Sequence, residues 1–469
     1  MSPTTTQKAA STGLTRKILE NSVALFTSQL LAKVFRVLAN FLLARFLGPE
    51  NFGVWALVLA FIELFRFLPN FGLDLTLVRN MSRSSSTSGL SKTLFLRSLL
   101  SGLALVTVGL VLTFTGYSTD IRKLIYFYSL SFFLQSGTGV LACFFQVQLR
   151  SAALIWAYTI SGLAYLGLIL VGIFTRQELT FFMVSLLSSE GVLLLLFALT
   201  FFKKGGRLTA FNFSELTPLL KEAFPIALYL ALVTAYFRID TLVVYHYGGE
   251  RGAGLYSACF RLSEAFLMLA SSVAASLFPV FSRLKTENKP ELASLFNKSF
   301  FWFFPFTLSV AILGTGLSPL IISFLFGEAF APAAGGLAVI IWSVVFMFAN
   351  SLSMQALFAF DREKTITQIA AVTLLVNLGL NFWLVPRFGF VGACWATLGR
   401  EIVSFVLQAR VLQKILVPGL LNRVWPHFIA PALALLWFYF YPASFKSAGI
   451  WIFTFGYLVF LLNRKGRPE

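Results

Sequence analysis

Eight ionisable side chains stand where hydrocarbon would punish them: Lys33, Arg36, Glu63, Arg66, Arg238, Asp240, Arg261 and Glu264. Each lies deep in an apolar run longer than the ~20 residues a helix needs to cross a bilayer. Charge at that depth is expensive, so each should face a partner or a wet cavity. Lys33 and Arg36 are three apart and share a helix face, as do Glu63 and Arg66. Arg238 and Asp240 are two apart and diverge, unless the helix unwinds locally. The set holds five cations and three carboxylates, a net +2. It could pair off as buried ion pairs holding each hairpin together, although such pairs are a poor source of stability. Alternatively the cations Lys33, Arg36, Arg66, Arg238 and Arg261 line a central cavity and hold an anionic group. The arginine fork suits phosphate, because it binds two oxygens at once. Glu63, Asp240 and Glu264 would then carry a coupling proton or sodium ion, or act as counter-ions. For Asp240 the counter-ion role is the better expectation.

The elements that position these groups form a helix hairpin used twice. Two long apolar segments meet at the turn Gly48-Pro49-Glu50-Asn51-Phe52-Gly53. The pattern returns 201 residues later: Gly48, Gly53, Trp55 and Glu63 become Gly249, Gly254, Tyr256 and Glu264. Apolar runs recur along the whole chain, and the spacing predicts an all-α polytopic membrane protein of about fourteen transmembrane helices. The expected spans are 21–47, 53–79, 93–116, 121–148, 152–175, 179–202, 222–247, 252–281, 296–326, 330–359, 364–385, 390–416, 427–442 and 448–463. Loops on one side carry 24 of the 37 basic residues, Arg97 and Arg150 among them, and loops on the other side carry 6. That bias puts both termini in the cytosol by the positive-inside rule, and it accounts for most of the +18 charge as topology. Nucleic acid is therefore not an expected partner. The polar stretch from Lys203 to Phe213 is the expected boundary between lobes. Six spans in the first unit keep both copies in one orientation, so the repeat is parallel, with a pseudo-twofold axis along the membrane normal. The expected domains are an N-lobe over 1–202, a cytosolic linker over 203–221, a C-lobe over 222–416 and a peripheral hairpin with tail over 417–469.

With 58% hydrophobic residues, 12% charged residues and a mean hydropathy of +0.82, the chain is excluded from the soluble enzymes. Residues 1–17 are polar and basic, with none of the features of a cleavable signal peptide. Cys143, Cys259 and Cys394 lie far apart in apolar segments, with neither metal spacing nor a disulfide framework, and read as small buried hydrophobes. Asp74 and the pair Arg400–Glu401 read as salt bridges or gates within a lobe. His246 reads as an interfacial residue, and Asn40, Asn377 and Asn381 as polar glue between helices. No nucleophile elbow, phosphate-cradling loop or metal cluster is visible, so no cofactor is expected beyond a coupling ion.

Several stretches, taken in order, resemble a known family: LLARFLGPENFGVWALVLAF, NFGLDLTLVRNMS, YFRIDTLVVYHYGGERGAGLYSACFRL, FPVFSRL, LFGEAFAPAAGGLAVI and LVPRFGFVGACWATLGREIV. They resemble the polysaccharide-synthesis flippases of the MOP exporter superfamily. The resemblance implies two six-helix lobes in a V-shaped arrangement that alternates between inward-open and outward-open states, rocking about the 203–213 linker. It implies transport, not catalysis: an undecaprenyl-diphosphate-linked oligosaccharide would cross the cytoplasmic membrane, with Lys33, Arg36, Arg66, Arg238 and Arg261 facing the diphosphate. It further implies a monomer working beside polysaccharide polymerases or glycosyltransferases. Lipid II flippases of the same superfamily share the fourteen spans and basic cavity. A multidrug cation exporter would want an acidic cavity, which the +2 balance opposes. A membrane-embedded glycosyltransferase would want long outer loops with catalytic acids, and those loops are short. A scaffold that kept the fold without transport is opposed by mid-membrane charge in both halves.

Overall fold

The computed structural model describes the backbone of residues 5–84, 88–148 and 154–424, and the side chains of 34–82, 89–148 and 154–422. Expected spans thirteen and fourteen and the side chain of Lys33 lie outside the described residues, as does Arg150.

The described chain is helical throughout: α1 (Thr5–Phe65), α2 (Phe67–Asn70), α3 (Leu73–Ser84), α4 (Ser88–Phe114), α5 (Thr119–Ser129), α6 (Ser131–Val147), α7 (Ile155–Phe174), α8 (Leu179–Lys203), α9 (Leu216–Glu287), α10 (Lys289–Gly316), α11 (Ser318–Phe326), α12 (Ala333–Ile340), α13 (Ser343–Ala359), α14 (Glu363–Ile415) and α15 (Leu420–Val424). Among these residues, nine stretches are long and apolar enough to cross a membrane. Three of them are hairpins. α1, α9 and α14 are each interrupted at one glycine, Gly48 (φ 70°, ψ 173°), Gly249 (φ 62°, ψ −162°) and Gly389 (φ 58°, ψ −142°). A side chain is essentially excluded from that region of backbone space, so glycine is what lets each rod turn back.

Four of the expected spans are not single helices; 121–148 is parted at Leu130 and 330–359 at Ile341-Trp342. The second span is cut at Arg66 and again at Phe71-Gly72, both at positive φ (44° and 74°). A Cβ at Gly72 would sit 2.7 Å from Ile226 Cβ and 2.9 Å from the Ala223 carbonyl, so α9 packs directly on the break. The stretch 296–326 is likewise two helices, α10 and α11, parted at Leu317.

Contacts divide the chain into two compact units. One comprises Met1–Leu47 and Val58–Thr234, the other Gly48–Leu57 and Ala235–Glu469. The later division falls within α9, downstream of the 203–221 stretch. That stretch packs on α4: the Thr209 amide donates to Ser91 Oγ at 2.9 Å, Lys92 pairs with Glu215 at 2.9 Å, and Phe95 meets Phe211 and Phe213.

In the first unit, Phe144, Phe145, Phe197 and Phe201 build a core with Leu77, Met81 and Leu193, tying α3, α6 and α8 together. The outward stripe Leu99, Leu103, Val106 and Leu110 of α4 recurs at helical spacing and is more than half exposed, as a lipid-facing surface requires. The chain is a multi-pass membrane protein. In the second unit, the turn 48–57 lies against its own repeat. A Cβ on Gly53 would fall on the Glu250 carbonyl, and one on Gly254 would fall on the Pro49 carbonyl. The two contacts are images of one another under the 201-residue offset, Gly53 matching Gly254 and Pro49 matching Glu250, and Arg251 Nη1 pairs with Glu50 Oε1 at 3.2 Å beside them.

Candidate functional site

Helix length sets the depth of the charged groups. At 1.5 Å per residue from Gly48 or Gly249, the eight lie roughly 14–27 Å along their helices, within the span of a ~30 Å hydrocarbon core.

In the first unit, Arg36, Glu63 and Arg66 all act electrostatically on Tyr128 of α5. Arg66 lies 3.9 Å from Glu63, one helical turn away, and its side chain is 44% exposed because α1 ends there. Glu190 of α8 also acts on Tyr128, and is a buried acid that the sequence reading passed over. Its carboxylate accepts the Tyr128 hydroxyl at 3.2 Å and the Gln135 amide at 3.0 Å to each oxygen. Glu190 stands alone in SLLSSEGVLLL, without a basic residue three or four positions away to mark it. Counting it, the first unit's excess of cations shrinks to the single charge of Lys33.

In the second unit the groups separate into two environments. Arg238 Nη2 bonds Glu264 Oε1 at 2.8 Å, and Arg261 Nη1 lies 3.4 Å from Glu264 Oε2. The result is a triad of net +1 with side chains 20–26% exposed. Asp240 points the other way, as a spacing of two on one helix requires, and is fully buried. It accepts four hydrogen bonds from neutral donors: Tyr256 (2.9 Å), Asn377 (2.7 Å), Asn381 (2.7 Å) and Thr397 (3.1 Å). This cage staples the two arms of α9 to the two arms of α14, so Asn377 and Asn381 do join helices. Asn40 donates only along its own helix, to Arg36 O at 2.8 Å.

Arg400 is also sealed. It donates to the Tyr236 carbonyl, stacks 4.9 Å from the Tyr236 ring and 4.7 Å from the Phe237 ring, and faces Glu401 at 3.5 Å. Glu401 accepts Asn350 Nδ2 at 2.8 Å. Arg97, counted from sequence among the loop charges, is instead buried in α4. It pairs with Asp74 and occupies the space left by Gly139. Exposure therefore sorts the arginines: Arg97 and Arg400 are 5% and 0% exposed, whereas Arg66, Arg238 and Arg261 keep open surface. All three cysteines are buried and free. Cys259 donates to the Ala333 carbonyl at 3.1 Å, and its sulfur and that of Cys394 both lie against Gly336.

A helix hairpin repeated at a fixed offset, with exposed arginines at mid-depth, can be compared with known proteins. The sequence profile of the polysaccharide biosynthesis proteins matches residues 18–285, more than half the chain. The chain belongs to that family. A second profile, MatE, matches residues 225–383 of this family member. A Haloferax volcanii protein named as a flippase is 27% identical over 38% of the chain and 38% of its own length. A Shigella dysenteriae protein carrying the name O-antigen transporter is 23% identical over 78% of the chain and 93% of its own length. The chain spans about a third of the length of the archaeal relatives it matches. Among solved structures, the lipid II flippase MurJ in an inward closed conformation superposes with a TM-score of 0.73 at 15% identity, over 95% of this chain and 99% of that one. An inward-facing multidrug resistance MATE transporter of the MOP superfamily gives 0.69 at 14% identity, over 84% and 98%. The chain shares the fold of those two structures.

Proposed function

We propose that the protein is a flippase for a lipid-linked oligosaccharide, moving an undecaprenyl-diphosphate-linked repeat unit across the cytoplasmic membrane by alternating access. The observation that carries this reading is the partial exposure of Arg66, Arg238 and Arg261 at mid-membrane depth, where full neutralisation would be the cheaper arrangement. Arginine forks suit a diphosphate, the constant anionic part of such substrates. Within the first unit Arg36 and Arg66, and within the second Arg238 and Arg261, are each candidates to receive it, with Lys33 adding charge on the same helix face as Arg36. The family, and relatives named as a flippase and an O-antigen transporter, support that substrate class. The basic excess of one set of loops supports cytosolic termini.

The bonding of Asp240 favours a structural counter-ion role over ion coupling, since four neutral donors already satisfy its carboxylate. Glu63 and Glu264 are the better candidates for a coupling proton or sodium ion, because both are partly exposed beside arginines.

The test is flipping of a fluorescent polyprenyl-diphosphate sugar in vesicles, with Arg36, Arg66, Arg238 and Arg261 replaced singly by alanine. Each replacement should slow transport about tenfold or more, as expected for losing a charge-assisted contact of 1.5–3 kcal/mol. Unimpaired transport in all four variants would sink the reading.

A further inference from the structure

Glu190 is a charged residue of the first unit to which the transport reading gives no work. Burial of a carboxylate at mid-membrane is costly, and a salt bridge would be the ordinary remedy. The bonds Glu190 accepts come instead from a hydroxyl and an amide, Tyr128 at 3.2 Å and Gln135 at 3.0 Å to each oxygen. Neutral donors fix a carboxylate in place without cancelling its charge. Tyr128 stands within the electrostatic reach of Glu190, Arg66, Arg36 and Glu63 together, so the carboxylate and the two arginines share one polar cluster. Glu190 is 6% exposed and Arg66 is 44% exposed, so an incoming group can reach the arginine and not the acid.

We propose that Glu190 is the release residue of this site: a fixed negative charge, sealed behind Tyr128 and Gln135, that opposes a diphosphate held at Arg36 and Arg66. The proposal rests on the flippase reading above. A translocation site must bind its cargo firmly enough to load and weakly enough to unload. Arg36 and Arg66 against Glu63 alone would leave an uncompensated positive charge facing a substrate of two negative charges. Adding Glu190 cancels one of the positive charges at this site, so the headgroup is held more by directed hydrogen bonds and less by net attraction. Because its own bonds go to Tyr128 and Gln135, Glu190 exerts this effect without occupying the arginines.

The experiment uses the full chain in lipid nanodiscs, with geranyl diphosphate as the soluble probe and the vesicle flipping assay as the functional readout. Glu190→Gln should bind the probe about tenfold more tightly, the scale of one unit charge at roughly 10 Å in an effective dielectric near 20. KM and kcat should fall together, since cargo that loads well and leaves slowly lowers both. Glu190→Asp keeps the charge and should restore wild-type affinity. Tyr128→Phe removes one hydrogen bond, keeps the charge, and should not tighten binding. If Glu190→Gln does not fold, Glu190→Met supplies the same neutral charge state with an apolar side chain suited to a membrane interior. Unchanged or weaker binding in the neutral variants, alongside loss of probe binding in Arg36→Ala and Arg66→Ala, would overturn the release role and leave the site standing. Full probe binding in both arginine variants would overturn the site itself.

Discussion

Replacing Asp240 separates its charge from its hydrogen bonds. In Asp240→Ala, all four donors lose their acceptor, and each has a different fallback. The hydroxyls of Tyr256 and Thr397 lie 3.0 Å apart, so one can donate to the other, which leaves the second hydroxyl hydrogen without its acceptor. Asn377 keeps the Tyr236 carbonyl at 3.1 Å but has one buried N–H left unpaired. Asn381 keeps both Asn377 oxygens, the carbonyl at 2.9 Å and Oδ1 at 3.0 Å. An orphaned buried donor costs about 1–3 kcal/mol, so the two orphans should cost about 2–6 kcal/mol before any cavity is counted. Asp240→Asn is a different perturbation. Both asparagines donate to Oδ1, which the new amide can supply as its carbonyl. The new NH2 then faces two hydroxyls that can rotate to accept it. Asp240, Arg400 and Glu401 together carry −1, so neutralising Asp240 leaves Arg400 still paired with Glu401 at 3.5 Å. The Asn variant should stay within about 1 kcal/mol of wild type, the net worth of one ordinary hydrogen bond, and should still flip substrate. Unfolding in mixed micelles, followed by tryptophan fluorescence, gives the stabilities. An alanine variant as stable as wild type would refute the cage. A folded asparagine variant without transport would refute the structural assignment and make the charge itself the working part.

Other outcomes follow from the same contacts. Arg97→Ala should cost about 2–4 kcal/mol in that unfolding assay, because it breaks a buried pair with Asp74. Arg66→Ala should leave stability within about 1 kcal/mol, as surface-type pairs do, while slowing transport. Gly53→Ala or Gly254→Ala should abolish a monodisperse size-exclusion peak, since either methyl would land on a carbonyl of the opposing turn. Gly252→Ala should be tolerated, because its new Cβ would meet Val244 Cγ1 at an ordinary 3.5 Å. Gly249→Ala should lose about 1–3 kcal/mol to backbone strain at φ 62°, whereas Gly248→Ala, with space around it, should not.

The hairpins and the depth of the charged layer were legible in the sequence because both are one-dimensional. Glycine marks where a rod turns, and residue count along a helix converts directly into depth. The opposite directions of Arg238 and Asp240 were legible for the same reason. What was missed depends on packing between segments distant in sequence. Glu190 carries no local sign of its partners, since Tyr128 and Gln135 lie 62 and 55 residues away. Arg97 looked like a loop charge because it lies near a polar stretch, yet Gly139 on another helix makes room for it. The break at Phe71-Gly72 was written in the Pro69-Asn70-Phe71-Gly72 stretch, but the apolar residues on either side made one span look continuous.

What the repeat keeps and what it changes bears on the cargo. The turn glycines, the buried aromatic (Trp55, Tyr256) and the glutamate (Glu63, Glu264) recur at the 201-residue offset. The arginines do not. The positions matching Arg36 and Arg66 hold Phe237 and Leu267, and those matching Arg238 and Arg261 hold Val37 and Ala60. Duplication thus preserved the scaffold and one acid per copy, while each copy acquired its own cations. Glu264 bridges Arg238 and Arg261 within hydrogen-bonding range, and Glu63 lies 3.9 Å from Arg66. The copies therefore share a frame and differ in their cations, so an anionic cargo would meet a different set of arginines in each unit.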